Sequence, residues 1–323
     1  MADSESATLP LPSASVAGRR LVIVNPASRG GATGRHWASV ESRLRDALGA
    51  IEVERTRGPR DAERIAREGV RAGADLVIAA GGDGTASEVV AGVLGAGLGG
   101  YTELAFLPLG TGGDLARALG LSGPIESVIE RIAKGESRPI DAGRVAFVAR
   151  DGRQIATHFA NIASIGVSGL VTELVNDAPK TFGGRVSFFI GTLRAIARWE
   201  AAAVTLRVDG DVVHEGSLHL AAVANGRYFG GGMHVAPDAR FDDGVFDVVV
   251  IRGSGKGKLL RHFPRLYSAT HLALDEVSVR RGVIVEAHSA EPVPIEVDGE
   301  PLGRLDARFE CLPGALRLRG AAP

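Results

Sequence analysis

Residues 79–90 read "AAGGDGTASEVV": small apolar residues, a turn holding one carboxylate, then the spacing of a helix. Gly81, Gly82, Gly84 and Thr85 surround Asp83, and the apolar run "ADLVIAAGG" leads into them. Glycine loses more conformational freedom on folding than any other residue, so a cluster of it needs a use. A tight strand-to-helix turn is one use. A backbone left bare so that a bulky anion can lie against it is another.

The same alternation extends outward from this turn. "LVIVNP" reads as a buried strand, and "HWASVESRLRDALG" as a helix with Trp37, Val40, Leu44 and Leu48 on one face. "IEVERT" and "ELAFLPL" read as further strands, and "RDAERIAREGVRAG", "DLARALG" and "PIESVIERIAKG" as helices. Strands alternating with helices predict a parallel, doubly wound sheet covered on both faces, with ligands beyond the carboxyl ends of the strands. After Pro139 the pattern changes to short alternating runs such as "AAVTLRV" and "VFDVVVI". Asp151-Gly152, Asp209-Gly210 and Asp298-Gly299 have the composition of hairpin turns between them. The expected organisation is a disordered tail over 1–18, an α/β domain over 19–138 and an antiparallel β-sandwich over 139–323, whose last residues could return to the first domain.

Composition narrows the function. A net charge of −1 over 323 residues lacks the basic face that broad nucleic-acid binding requires. One cysteine, Cys311, allows no disulfide framework or cysteine metal cluster. The first eighteen residues have neither the basic start nor the apolar run of a secretory signal. No stretch approaches the roughly 18 apolar residues of a membrane span. A cytoplasmic protein is expected, with any membrane contact peripheral.

Three strand ends carry glycine-rich loops: "NPASRGG", "GGDGT" and "PLGTGGDLAR". In a parallel sheet all three emerge on one edge, where bare N–H groups and helix N-termini make an anion site. Arg29 and Arg117 add positive charge to the first and third loops. A single loop of this kind is equally a plain turn; three at equivalent strand ends point to phosphates. "RGSGKGKLL" has the wrong glycine spacing for a Walker loop, and Leu259 stands where a hydroxyl should bind magnesium.

These loops in this order, followed by "FANIASIGVSGLV", "VANGRYFGGGMHVAPDARFDDGVFDVVV" and "IEVDGE", resemble the bacterial diacylglycerol kinase-like lipid kinases, whose catalytic domain sphingosine and ceramide kinases share. The resemblance runs from about Leu21 to Leu318. It implies a two-domain kinase with ATP in the cleft, the nucleotide contacted by Asn25, Pro26, Ser28, Arg29, Gly81, Gly82, Gly84, Thr85, Gly110, Thr111, Asp114 and Arg117. It also implies Asp83 as a magnesium ligand assisted by Glu300, and Asp298 as general base for a lipid hydroxyl. Asp83 is the rival base, and "VDGD" at residues 208–211 has the same hairpin look without such a role. By the same resemblance "ARFDDGVF" is a second, structural magnesium loop, with the Asp243 carboxylate and the Arg240 and Val245 carbonyls as ligands; Asp242-Asp243-Gly244 is equally a turn. One departure stands out: Gly113 occupies the place of an asparagine in the family's Gly-Thr-x-Asn-Asp loop.

The segment "GGRVSFFIGTLRAIARWE" places Val186, Phe189, Ile190 and Leu193 on one helical stripe, flanked by Arg185, Arg194 and Arg198. It reads as a helix packed on the sandwich, or as the wall of an acyl-chain groove with arginines facing anionic headgroups. The expected activity is transfer of the γ-phosphate of ATP, with magnesium, to a hydroxyl of diacylglycerol or a related lipid at the inner membrane face. NAD kinase and a catalytically silent lipid- or nucleotide-binding protein are the alternatives, and a homodimer is left open.

Overall fold

The computed structural model describes residues 18–149, 151–176 and 184–321, the side chains of residues 176 and 184–190 excepted. The first half runs β1 (Arg20–Val24), α1 (Ala32–Leu48), β2 (Glu52–Arg55), α2 (Asp61–Arg71), β3 (Leu76–Gly81), α3 (Asp83–Gly95), β4 (Glu103–Pro108), α4 (Asp114–Ala118) and α5 (Ile125–Lys134). Its strands pair in parallel in the order β4–β3–β1–β2. β3 is buried at every residue, because helices cover both faces of the sheet. Trp37 and Leu44 of α1 pack with Val128 and Ile132 of α5 on one face. Ile65 and Val70 of α2 pack with Val89 and Val93 of α3 on the other.

The second half holds β5 (Ser137–Ala149), β6 (Gln154–Phe159), β7 (Ile162–Gly166), α6 (Val167–Asn176), α7 (Gly184–Arg198), β8 (Ala202–Val208), β9 (Asp211–Ala224), β10 (Phe246–Arg252) and α8 (Lys256–His262). It ends with β11 (Val277–Gly282), β12 (Ile284–His288), β13 (Pro294–Val297) and β14 (Glu300–Arg319). The strands follow the order β11–β10–β9–β7–β13–β14 with antiparallel neighbours, and β5, β6, β8 and β12 branch from that path. A single core fills this β-rich half, including the stacked rings of Phe159 and Phe246 at 5.7 Å. The architecture is the α/β domain plus antiparallel sandwich that the sequence pattern predicts.

β14 ties the two halves together. It pairs antiparallel with β13, β12 and β5, and its last residues, Arg317 and Leu318, run parallel to Glu103 and Leu104 of β4. The hydrogen-bonded sheet therefore runs through both halves. Asp298 sits on the turn immediately before this strand, so its position is fixed against both domains. In that turn Asp298 (φ 48°) and Gly299 (φ 87°) are both left-handed, the type I′ geometry that Asp-Gly favours. Asp209 (φ 50°) and Gly210 (φ 92°) make the same turn between β8 and β9.

Of the helical stripe expected to line a groove, the side chains of Val186, Phe189 and Ile190 lie outside the described residues. Leu193 is half-buried, and Ile196, one turn on, is buried in the second-domain core. Among the described residues no helix is long and apolar enough to cross a membrane.

Candidate active site

The three glycine-rich loops converge at the carboxyl ends of β1, β3 and β4. Asn25 follows β1; its Nδ2 donates to Thr85 Oγ1 at 3.1 Å, and its Oδ1 accepts the Ala27 N–H at 3.0 Å. Arg29, Gly30 and Gly31 all take positive φ, which turns the chain sharply beside the half-buried Pro26 and Ser28 before α1 begins. Several glycines here serve loop-to-loop contact rather than an open anion seat. A β-carbon on Gly81 would collide with Thr85, and one on Gly110 with the Gly82 backbone. Thr85 itself is buried, its hydroxyl facing Asn25, so it braces the first loop from beneath. Gly82 and Gly84 lie half-buried at the surface of the cleft, and Gly82 starts α3 with no side-chain cap, leaving a helix N-terminus of the kind that favours anions.

The third loop is held by Asp83. Its Oδ2 accepts the N–H groups of Gly113 at 2.8 Å and Asp114 at 3.2 Å, so one acid fastens the start of α4 to the start of α3. Gly113 caps α4 in the left-handed region (φ 74°, ψ 30°). A capping side chain acts from β-region geometry, so the missing asparagine removes no helix cap; glycine supplies the φ instead. Space is not limiting, because nothing lies within 4 Å of a β-carbon there. Gly113→Ala should therefore cost about 1–2 kcal/mol through backbone strain alone. Gly113→Asn, the side chain best suited to this region, should cost less than alanine. Thermal denaturation of the two variants separates them, and equal losses would contradict the strain account.

Asp114 and Arg117 reach across to the second half instead of toward the loops. Asp114 is buried, pairs with Arg117 at 2.7 Å and accepts the Gly231 N–H at 2.7 Å through its other oxygen. Burial raises its pKa above the ordinary carboxylate value. The Arg117 guanidinium stands 5.5 Å from the Tyr228 ring centroid, a cation–π contact. These two residues tie α4 to the loop between β9 and β10.

On the opposite wall, Asp298 collects backbone donors. Its Oδ1 accepts from Asn161 at 3.1 Å and Ile162 at 3.0 Å, and its Oδ2 from Ala160 at 3.1 Å. The Ser87 hydroxyl of α3, from the "GGDGTASEVV" segment, also favours the charged form of this acid. Burial nonetheless raises the Asp298 pKa to about 6, outweighing those donors. Glu296, two residues earlier on β13, is only 3 % exposed and is pushed up to about 7 by burial, with the neighbouring Asp298 charge adding to it. Asp209 accepts the N–H groups of Val283 and Ile284 from an identical turn. What separates Asp298 from it is therefore location. Asp298 lines the cleft cavity; Asp209 does not.

That cavity is a half-open cleft of about 750 Å³. Asp83, Asp114, Glu296 and Asp298 mark its polar side, together with Thr111 of the third loop. The remainder is largely apolar and belongs to the second half: Val171, Ile196, Phe229, Met233, Phe263 and Leu266 are among its walls. Glu300 is exposed, and its Oε1 lies 3.6 Å from where a Gly84 side chain would begin, which places it beside the Asp83 loop.

Residues 19–145 match the model of the diacylglycerol kinase catalytic domain, and residues 161–320 that of the YegS C-terminal NAD kinase beta sandwich-like domain. A diacylglycerol kinase of Mycobacterium tuberculosis H37Rv is 30% identical over 93% of this chain and 94% of its own. That of Bacillus subtilis 168 is 30% identical over 90% of this chain and 92% of its own. The chain belongs to the diacylglycerol kinase-like lipid kinases. A Bacillus anthracis diacylglycerol kinase structure, 21% identical, shares the fold at a TM-score of 0.71 over 96% of this chain and 99% of its own. Yeast NADH kinase, 13% identical, shares it at 0.53 over 94% and 83%.

In this lipid kinase, sequence reasoning missed Ser87, Asn161 and Glu296. Asn161 carries the most connections: its N–H reaches Asp298, its Nδ2 donates to the Tyr228 carbonyl at 2.8 Å, and its carbonyl accepts from Asn225 and Gly226. "FANIA" and "VANGRYF" were legible as kinase motifs, but the side-chain partners across them were not. The kinase's Arg240–Val245 loop lies outside the cavity lining. Asp243 there accepts from the Arg281 guanidinium and, at 3.4 Å, from the Val245 N–H, while Arg240 pairs with Asp242 at 3.1 Å.

Proposed function

We propose that the protein transfers the γ-phosphate of ATP to the hydroxyl of diacylglycerol or a related lipid. The observation that carries this reading is the cavity: a half-open, largely apolar cleft whose polar end holds Asp298, facing the convergent glycine-rich loops. Apolar walls with a few fixed polar groups are the usual form of a lipid or small-molecule site. The triphosphate lies along Gly82, Gly84 and the α3 N-terminus, with Asn25 and Thr85 shaping the floor. Asp83 and Glu300, which lies beside the Asp83 loop, would hold a magnesium ion, which is commonly bound by one or two carboxylates with substrate phosphates completing the shell. Bound there, the metal would neutralise charge on the phosphates.

Asp298 accepts the proton of the lipid hydroxyl as the oxygen attacks phosphorus, and it must be ionised to do so. With its pKa raised to about 6, kcat/KM should be held above that pH and fall as pH drops through it. A pH profile with its acid limb near 4, where an ordinary aspartate titrates, would contradict this role. Asp114 and Arg117 hold the two walls of the cleft in register through Gly231 and Tyr228. The acceptor is drawn from a membrane surface into the cavity.

Incubating the purified protein with radiolabelled ATP, magnesium and a mixed lipid extract, with NAD as a parallel acceptor, tests the reading. Label in lipid phosphate supports it. Label in the dinucleotide alone, or in neither, overturns it.

A further inference from the structure

One wall of the apolar cavity carries a short hydrogen-bonded chain that the transfer chemistry does not use. Glu296 is 3 % exposed, Ser164 0 % and Ser168 8 %, and both Glu296 and Ser168 line the cavity. The Ser164 hydroxyl lies 2.8 Å from Glu296 Oε1 and 2.6 Å from the Ser168 hydroxyl. The other Glu296 oxygen accepts the Gly299 N–H at 2.9 Å, in the turn that presents Asp298. Glu296 therefore holds the base's turn with one oxygen and a serine pair with the other.

A buried carboxyl in an apolar wall is costly unless its partners are complete. Here the inner partners are complete, and the chain ends outward at Ser168. Ser164 has a single proton to share between two neighbours. If it donates to Glu296, Ser168 donates inward and offers lone pairs to the cavity. If Glu296 carries a proton and donates to Ser164, Ser164 donates to Ser168, whose own O–H is free to point into the cavity. Both arrangements present a neutral hydrogen-bonding group to the cavity that Asp298 also lines.

We propose that Ser168, oriented through Ser164 by Glu296, is an acceptor-specificity subsite that hydrogen-bonds an uncharged oxygen function beside the hydroxyl to be phosphorylated. An ester carbonyl and a second hydroxyl are the two sources of that chemistry. The inference rests on the lipid kinase reading. Ser168 selects the acceptor, and Glu296 positions both Ser168 and the Asp298 turn.

The test uses the full chain with mixed micelles of dioctanoylglycerol, its diether analogue, a monoacylglycerol and a long-chain primary alcohol. Wild-type protein should prefer the diester to the diether by about tenfold in kcat/KM, the range of one hydrogen bond. Ser168→Ala should erase that preference through KM for the diester, with kcat and the KM for ATP nearly unchanged. Glu296→Gln can still accept from Gly299 while its amide donates to Ser164, which turns the Ser168 proton outward. That variant should keep the carbonyl preference, because an outward Ser168 O–H donates to the carbonyl oxygen. Retained preference in Ser168→Ala would overturn the subsite, as would an equal loss on every acceptor with a lowered melting temperature. Loss of the carbonyl preference in Glu296→Gln would overturn the orientation through Ser164. If wild-type protein labels no lipid at all, the kinase reading falls first and the subsite with it.

Discussion

Asp298→Asn should lower kcat by about 10²–10⁴, the usual cost of removing a general base, while ATP affinity stays within several-fold. The substitution is well matched to the site. Asparagine tolerates the left-handed backbone that Asp298 adopts at φ 48°, and its amide oxygen can still accept from Asn161 and Ile162. The amide nitrogen meets the Ala160 N–H, a local conflict. Charge works the other way for stability. Because burial raises the native pKa to about 6 from an unfolded value of 3.8, the native state keeps its proton while the unfolded state loses it. Stability from this group is therefore present at low pH and lost as pH rises toward 6. Above pH 6 the variant is relieved of a buried charge, so its melting temperature should hold or rise where wild-type pays for ionisation. A variant retaining more than about a tenth of wild-type turnover would remove Asp298 from the base role.

Asp83 should behave differently, because its carboxylate joins two tasks. Asp83→Ala leaves the Gly113 and Asp114 N–H groups without their acceptor, at a cost of about 1–3 kcal/mol each where they are buried. It also removes a carboxylate proposed to hold the metal with the nucleotide. Magnesium-dependent ATP affinity should fall at least tenfold, since charged contacts contribute about 1.5–3 kcal/mol. Asp83→Asn separates the tasks. Its amide oxygen can keep the loop N–H groups, so stability should recover, while nucleotide affinity should remain low. Isothermal titration with magnesium-ATP reads one effect and thermal melting the other. Wild-type affinity in the asparagine variant would confine Asp83 to bracing the loops.

The sequence made the architecture legible because each half has its own period. β3 to α3 is apolar, then bare, then helical, and only a strand–turn–helix unit satisfies all three. The turns were equally plain: Asp298-Gly299 and Asp209-Gly210 adopt the geometry that their composition demands. Composition could not tell those two turns apart, since both aspartates fold back onto backbone donors and only one faces the cavity. The glycines were legible as a demand for closeness, but not for closeness to what. Gly81 and Gly110 answer to Thr85 and Gly82, whereas the composition of the loops fitted a tight turn and an anion seat equally.

Long-range partners were the least legible part. Arg117 reads as a phosphate ligand by its loop, yet Asp114 and Tyr228, the latter 111 positions away in the chain, hold it. Nothing in "PIEVDGE" marks Glu296, because an alternating strand places every second side chain on one face without saying which face is covered. Its burial follows from α6 covering that face of β13, which no local pattern announces. The cavity likewise draws on α6, α7, α8 and the loop after β9, four segments that no single periodicity connects.

The central claim is that the acceptor's chain fills the apolar cavity and its hydroxyl meets Asp298 in front of the nucleotide. A crystal structure with a non-hydrolysable ATP analogue, magnesium and dioctanoylglycerol tests it directly. The account predicts acyl density among Val171, Ile196 and Phe263, with the free hydroxyl about 2.6–3.2 Å from the Asp298 carboxylate. The triphosphate should lie along the Gly82–Gly84 turn. Lipid density outside the cavity, or a hydroxyl nearer Asp83 than Asp298, would contradict it.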